Sequence, residues 1–313
     1  MRGISLQTTI KSPVQFIGQG LHSGEAACMT VRPASAEHGI WFRRTDVSHV
    51  DNLVHASWDA VEIAPLCTRI VNTSSVAVST IEHIMAALAG CGIQNALIDI
   101  DGPEVPILDG SSAEFVQGLL AKGLQHLHAP VRAIEVLKRV EVRQGLSLAS
   151  LEPNKMLQID FAIEFADEAI GQQHKTLNMA NGAFVRELSN SRTFCRQSDI
   201  DEMHAKGLAL GGTLDNAVVV NGADIISPSG LRHADEAVRH KMLDALGDLT
   251  LAGLPILGRY VGVRAGHALT NNLLRALFAD PSAFRIVTCD AQMIANLPGV
   301  GVHHRDLPQA IPA

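Results

Sequence analysis

Two periodicities alternate along the chain. Short runs of alternating or β-branched residues predict strands at Gln7–Ile10, Cys28–Pro33 and Ile40–Arg44. The apolar segment Ser79–Gly90 predicts a helix, with Ser79 or Thr80 able to cap its start and Gly90 or Gly92 able to end it. A strand over Asn95–Ile100 comes next, and Asp109-Gly110-Ser111-Ser112 opens a helix over Ala113–Ala121. Pro130 falls in a short polar break. The pattern then restarts with strands at Ile134–Arg143, Ser147–Glu152 and Leu157–Phe165, and a helix over Ala180–Leu188. After a loop through Ser191–Phe194 come a strand over 214–220, a long helix Glu236–Ala252, a strand Gly258–Ala265 and a helix Thr270–Phe278. Strands then helices, twice over, predict an α+β fold of two similar sheet-plus-helix domains, residues 1–130 and 131–280. Residues 281–313, with Pro281, Pro298, Pro308 and Pro312, read as a loosely held tail. No sequence repeat accompanies the duplication, which rests on element order alone.

A chain of 313 residues has room for two such cores. Its net charge of −7 argues against bulk nucleic-acid binding, though not against an anionic small ligand met by a few local cations. Neither an apolar run long enough to span a membrane nor a secretory pattern at the start is present, so a cytoplasmic enzyme without stable membrane insertion is expected. Five scattered cysteines (Cys28, Cys67, Cys91, Cys195, Cys289) contain no CxxC pair, which argues against a disulfide framework and a cysteine zinc knuckle.

Candidate chemistry gathers on the two apolar helices. His240 and Asp244, four apart, share one helical face, and Asp248 extends that face by a turn. Alone, this stripe fits a surface ion pair as readily as a metal site. Glu82-His83 lies within the apolar Ser79–Gly90 segment, where an ionised carboxylate requires a partner or a metal. Its bland alternative is a satisfied core histidine beside an exposed glutamate. Together His83, His240 and Asp244 form a His₂-carboxylate set, which leaves a fourth tetrahedral position open, as catalytic zinc sites do. Glu82, beside a ligand, is placed to take a proton from water. His267 comes just after a strand end, and Asp248 could orient it; a loop histidine without a role is the competing reading. The glycine-dense Gly18–Gly24 loop has His22 as its one ring and suggests a backbone approached by a ligand.

Several long motifs now combine: GxGLHSG (Gly18–Gly24), STIEHIMAALAGCGIQNALI (Ser79–Ile98), PEVPILDGSSAEF (Pro103–Phe115), SRTF (Ser191–Phe194), KGLALGGTLDNAVVV (Lys206–Val220), GLRHADEAVRHKMLDALGDL (Gly230–Leu249) and GHAL (Gly266–Leu269). In this order they resemble the UDP-3-O-acyl-N-acetylglucosamine deacetylase family of lipid A synthesis in Gram-negative bacteria, from about Gln7 to Phe278. The resemblance implies two α+β domains packed helix face to helix face, with zinc between them on His83, His240 and Asp244. Fe²⁺ suits the same donors. It implies Glu82 as general base, His267 as general acid oriented by Asp248, and Thr193 as donor to the oxyanion. Lys241 would face the nucleotide diphosphate, Phe194 would pack near the sugar or uridine, and His22 would lie in a loop near the site. The implied partner is a UDP-linked acylated amino sugar bound by a monomer, its acyl chain in an apolar passage formed by an insert near residues 194–214. Cys195, Arg196 and Gln197 depart from the family's apolar pattern there. Two rival readings are a zinc hydrolase of another amide and a metal-stabilised binding protein. The sequence lacks HExxH, which removes zincin-type proteolysis, and it retains both Glu82 and His267.

Overall fold

Residues 6–307 are described by the structure, a computed structural model. Among them run seven α-helices: α1 (Glu82–Gly90), α2 (Ala113–Lys122), α3 (Ala183–Glu187), α4 (Ile200–Ala205), α5 (Glu236–Thr250), α6 (His267–Ala279) and α7 (Ala291–Ala295). The architecture is mixed α and β. One large sheet has five strands in the order Val14–Gln19, Ala26–Pro33, Ala96–Ile100, Ile40–Arg44, Leu53–His55. The other has seven, and its longest strand, Ile256–Val263, pairs with Arg132–Val136, Ser147–Pro153 and Gln158–Glu164.

Both sheets are largely antiparallel, with one parallel pair in the first and two in the second, and each has a parallel pair joined by a long crossover. Ile40–Arg44 runs parallel to Ala96–Ile100, and the chain between them carries α1. Gln158–Glu164 runs parallel to Ile256–Val263, and that connection carries α5. Parallel neighbours require such a crossover, which lays its helix across a sheet face. Here the two crossover helices also pack on each other. Helix α1 is buried on nearly every side, with Ile84, Met85, Ala86, Ala87 and Leu88 wholly inaccessible. A helix buried this way is apolar all round, as its sequence is from Ile84 on. Its small residues allow close approach. A Cβ on Gly90 would stand 2.0 Å from the Phe184 ring, and one on Gly247 of α5 would stand 2.1 Å from the Glu82 carbonyl oxygen. Only glycine at 247 lets α5 cross directly over the first turn of α1.

Four of the differences from expectation bear on the architecture. The strand expected over Ile134–Arg143 is two, Arg132–Val136 and Val140–Gln144, which join different neighbours in the sheet. A strand at Gln172–Asn178 was not expected, because its residues (QQHKTLN) lack an apolar face; it is an edge strand paired with Gln158–Glu164 and tied to α5 by Lys175–Asp235 and by the Val238 amide on Gln173. The helix expected over Thr270–Phe278 starts at His267, so His267 opens a helix instead of standing in a loop. The largest correction concerns the segment read as a loose tail. Phe284–Thr288 forms five antiparallel pairs with Arg132–Val136, and Cys289 and Leu297 are buried with Val131, Ala133 and Leu257. Four scattered prolines obscured that alternation. Residues 308–313 lie outside the described region.

The 194–214 segment holds a short strand, Phe194–Arg196, parallel to Val218–Val220, and then α4. Beyond α4 it docks on the glycine loop: the Leu210 and Gly211 amides donate to the His22 and Leu21 carbonyls at 3.2 and 3.0 Å. Arg196 pairs with Asp167, which also accepts the Gly222 amide at 2.9 Å. The cationic residue that breaks the expected apolar pattern is therefore an anchor between this segment and the 165–171 loop. No described helix is long and apolar enough to cross a membrane.

Candidate metal centre and active site

The first turn of α1 starts from an unusual backbone. Thr80 has φ +57°, a left-handed conformation that costs a threonine of order 1 kcal/mol or more. Buried Glu104 holds it there. Its carboxylate accepts the Thr80 hydroxyl at 2.7 Å and the His22 and Ser23 amides at 2.9 and 2.8 Å. These donors outweigh burial and keep Glu104 below the usual carboxylate range. One side chain thus ties the glycine loop to the start of α1. Glu104→Gln is expected to lower thermal stability by about 1–3 kcal/mol, because an amide cannot accept all three bonds on its oxygen. A melting temperature unchanged from wild type would refute this anchor.

Across from that turn, α5 presents His240, Asp244 and Asp248 at four-residue spacing, all buried. His240 Nε2 lies 3.3 Å and His83 Nε2 3.7 Å from Asp244 Oδ1. The two imidazole centroids are 5.0 Å apart at 88°. One donor atom from each of His83, His240 and Asp244 lies within 4.8 Å of the others, the only such group of three among the described residues. Nδ1 of His240 is 3.0 Å from the Ser191 carbonyl, which fixes its proton on Nδ1 and frees Nε2. Asp244 Oδ2 accepts from Lys241 at 2.7 Å, while Oδ1 is buried without any hydrogen-bond partner. A lone buried carboxylate oxygen aimed at two imidazoles is costly unless a cation completes it.

The protonation states suit that donor set. Burial, helped by the neighbouring His240, pushes His83 down to about 3, and burial lowers His240 as well, so both rings are neutral. Burial opposes the charge on Asp244, but the cationic Lys241 and His267 overcome it and hold the carboxyl ionised. Two neutral imidazoles and one carboxylate match the three-ligand sets of catalytic zinc.

Beside this group stand a second carboxylate and a third imidazole. Burial pushes Glu82 up to about 7, and Asp244 and Asp248 add to the rise against His267. Burial works against charging His267, but Asp248 and Glu82 prevail and raise it to about 9. His267 Nδ1 donates to Asp248 Oδ2 at 2.9 Å. Its Nε2 is then turned inward, 3.7 Å from Glu82 Oε1 and 3.9 Å from Asp244 Oδ2. A carboxyl and an imidazole with values displaced in this way form an acid–base pair facing one point.

Residues 7–279 match the family described as UDP-3-O-acyl N-acetylglycosamine deacetylase. The chain belongs to this family. The deacetylase family is one of hydrolases, and the chain is accordingly an enzyme. Three similar proteins bear the name UDP-3-O-acyl-N-acetylglucosamine deacetylase. The one from Phenylobacterium zucineum is 48% identical over 282 residues, 90% of this chain and 96% of that protein. Those from Shewanella halifaxensis and Pseudoalteromonas atlantica are each 42% identical, covering 95% and 91% of this chain and 98% and 94% of theirs.

The other candidate residues of this deacetylase-family sequence differ in their relation to that cluster. Phe194 is edge-on to His240 with centroids 6.3 Å apart and is backed by Phe165. Lys241 places its ammonium on Asp244 rather than on open solvent. His22 is buried; its Nδ1 accepts the Ala209 amide at 3.3 Å, and its Nε2 has no partner. Thr193 is held by its backbone, its amide donating to Gly110 and its carbonyl accepting from Val218, each at 2.8 Å.

Several structural contributors went unread in the sequence. Arg192 is the largest fully buried side chain, pairing with Glu236 at 2.9 Å and fixing the Ser191–Phe194 loop. Glu104 lies between Pro103 and Pro106 in the Pro103–Phe115 motif, and an acidic residue in so apolar a run was a usable signal. Thr68 and Gly247 gave none, because each meets a partner more than 100 residues away, Asp248 for Thr68 and Glu82 for Gly247.

Proposed function

We propose that this enzyme hydrolyses the N-acetyl group of UDP-3-O-(3-hydroxyacyl)-N-acetylglucosamine, releasing acetate, as the committed step of lipid A synthesis. The observation that carries this is the convergence of three candidate metal donors, Glu82 Oε1 and His267 Nε2 on one point between α1 and α5. We read the halves 1–130 and 131–280 as two α+β domains packed through these helices, with the metal site between them. The enzyme acts as a cytoplasmic monomer on a UDP-linked substrate.

His83, His240 and Asp244 would hold the metal, zinc by their chemistry and Fe²⁺ with the same donors. When bound, that cation polarises the amide carbonyl and makes water acidic near neutral pH. Glu82 Oε1 takes the proton as water attacks the acetyl carbon, a role that suits a carboxyl raised to about 7. The hydroxyl of Thr193 donates to the oxyanion as it forms. His267, protonated and held through Nδ1 by Asp248, gives its Nε2 proton to the nitrogen as the carbon–nitrogen bond breaks. The amide and one water become acetic acid and a free amine, which part as acetate and the ammonium form, and the proton taken by Glu82 balances the one His267 gives. Lys241 serves the diphosphate once it shifts from Asp244, Phe194 packs on the sugar or uridine, and His22 Nε2 is a free polar contact beside them. The 194–214 segment borders the acyl chain.

The testing experiment is acetate release from the UDP-acyl-sugar by the metal-replete protein, repeated after dipicolinate treatment and after adding back one equivalent of Zn²⁺. Activity is expected to fall by more than about 10²-fold on chelation and to return with zinc. A metal-replete protein inactive with every acyl length tried would remove this reading and favour another amide.

A further inference from the structure

Two of the carboxylates around His267, those of Glu82 and Asp248, each have one oxygen directed toward it and one directed away. Glu82 turns Oε1 toward His267 Nε2, and Asp248 gives Oδ2 to His267 Nδ1. Both outward oxygens end on the same residue. The Thr68 amide donates to Glu82 Oε2 at 3.0 Å, and the Thr68 hydroxyl donates to Asp248 Oδ1 at 2.6 Å. Thr68 is itself buried, in the strand Thr68–Val71, which is hydrogen-bonded on one side to Val61–Ile63 and on the other to Ala77–Val78. Glu82 comes from α1 and Asp248 from α5, so Thr68 bridges the two central helices from a third element.

We propose that Thr68 is a positioning residue for the hydrolysis, one that sets the spacing between the base Glu82 and the acid His267. The proposal rests on the deacetylase reading above. A carboxylate with one oxygen fixed has little freedom to rotate, so its other oxygen keeps a single direction. Holding both carboxylates from one rigid strand fixes them relative to each other, and that relation governs proton uptake at one end of the reaction and delivery at the other. The same contacts at an inert site would stabilise the fold without affecting turnover. Here both acceptors are the groups placed on the reaction path. Cys67, next in the chain, takes no part: burial, with Glu82 nearby, pushes its thiol up to about 12, so it remains a neutral thiol.

Thr68→Val keeps the shape and removes the hydroxyl while retaining the amide, so it isolates the link to Asp248. With wild-type acetate release established, kcat in Thr68→Val is expected to fall about 10- to 100-fold. KM and bound metal should remain within about twofold of wild type, and Thr68→Ser should recover most of the loss. In an Asp248→Asn background the same Val substitution should cost less than about twofold, because the hydroxyl acts through that carboxylate. An unchanged kcat in Thr68→Val, or a full additive loss in the Asp248→Asn background, overturns the proposal. Should the valine variant not fold, Thr68→Ala enters the same cycle. Wild-type protein without acetate release would defeat the deacetylase reading separately. In that case the His267 Nδ1 proton, observed by nitrogen-resolved NMR, tests the positioning: its resonance should move in Thr68→Val, and an unmoved resonance refutes the link.

Discussion

Glu82→Ala is expected to lower kcat for acetate release by at least about 10²-fold, and His267→Ala by a similar factor, both at matched metal content. In the proposed mechanism the two groups act at opposite ends of one reaction, so each loss should appear in kcat with KM little changed. That pattern marks interactions made chiefly in the transition state. Burial gives Glu82 its strength as a base: a carboxyl raised to about 7 holds a proton far better than one in water. His267 is the converse, an imidazole that Asp248 and Glu82 keep protonated to about 9. The double variant should lose much less than the product of the single losses, since neither proton transfer helps without the other. Wild-type kcat in either single variant, with the metal present, would reassign that residue.

Arg192→Met should destabilise the fold by about 3–5 kcal/mol, the usual consequence of leaving half of a buried ion pair. Glu236 would keep its charge at about 1% exposure with its principal cationic partner gone. In the native protein burial works against that charge, but Arg192 overcomes it and holds the Glu236 carboxyl below its ordinary value. A depressed folded value means the stabilisation is complete above the unfolded carboxylate range and disappears as pH falls through the folded one. The wild type should therefore lose more stability on acidification than the variant. Thermal melts at pH 7 and pH 4 check both statements. A shift smaller than about 2 °C at pH 7 would show that the loop relaxes at little cost. Activity should suffer too, because Arg192 adjoins Ser191, whose carbonyl orients His240, and Thr193.

The candidate site was more legible than the parts that hold it. His240, Asp244 and Asp248 sit at helical spacing, and Glu82-His83 interrupts an apolar helix, so both stripes could be read locally. Reading them as one site required the two helices to meet, and the motifs supplied that expectation through resemblance. The misread elements were those whose local pattern was weak. Gln172–Asn178 is a polar edge strand, and Phe284–Thr288 lies in a proline-scattered segment yet completes a sheet begun about 150 residues earlier in the chain. Arg196 looked like a polar intrusion in an apolar passage and is instead one half of an ion pair with Asp167.

By itself the sequence determined the features that near neighbours set: helix periodicity, which faces are apolar, and which titratable groups share a turn. Side-chain direction in a helix or strand is fixed within a few residues, so those features survive without a fold. Tertiary structure decided the pairings across the chain. It set Asp244 Oδ1 between two imidazoles from different helices, turned His267 Nε2 toward Glu82, and placed Thr68 behind both carboxylates. Burial acted on the titratable groups in the same way: a glutamate and a histidine with ordinary values in water move to about 7 and about 9 only when packing removes the solvent and brings their charges together.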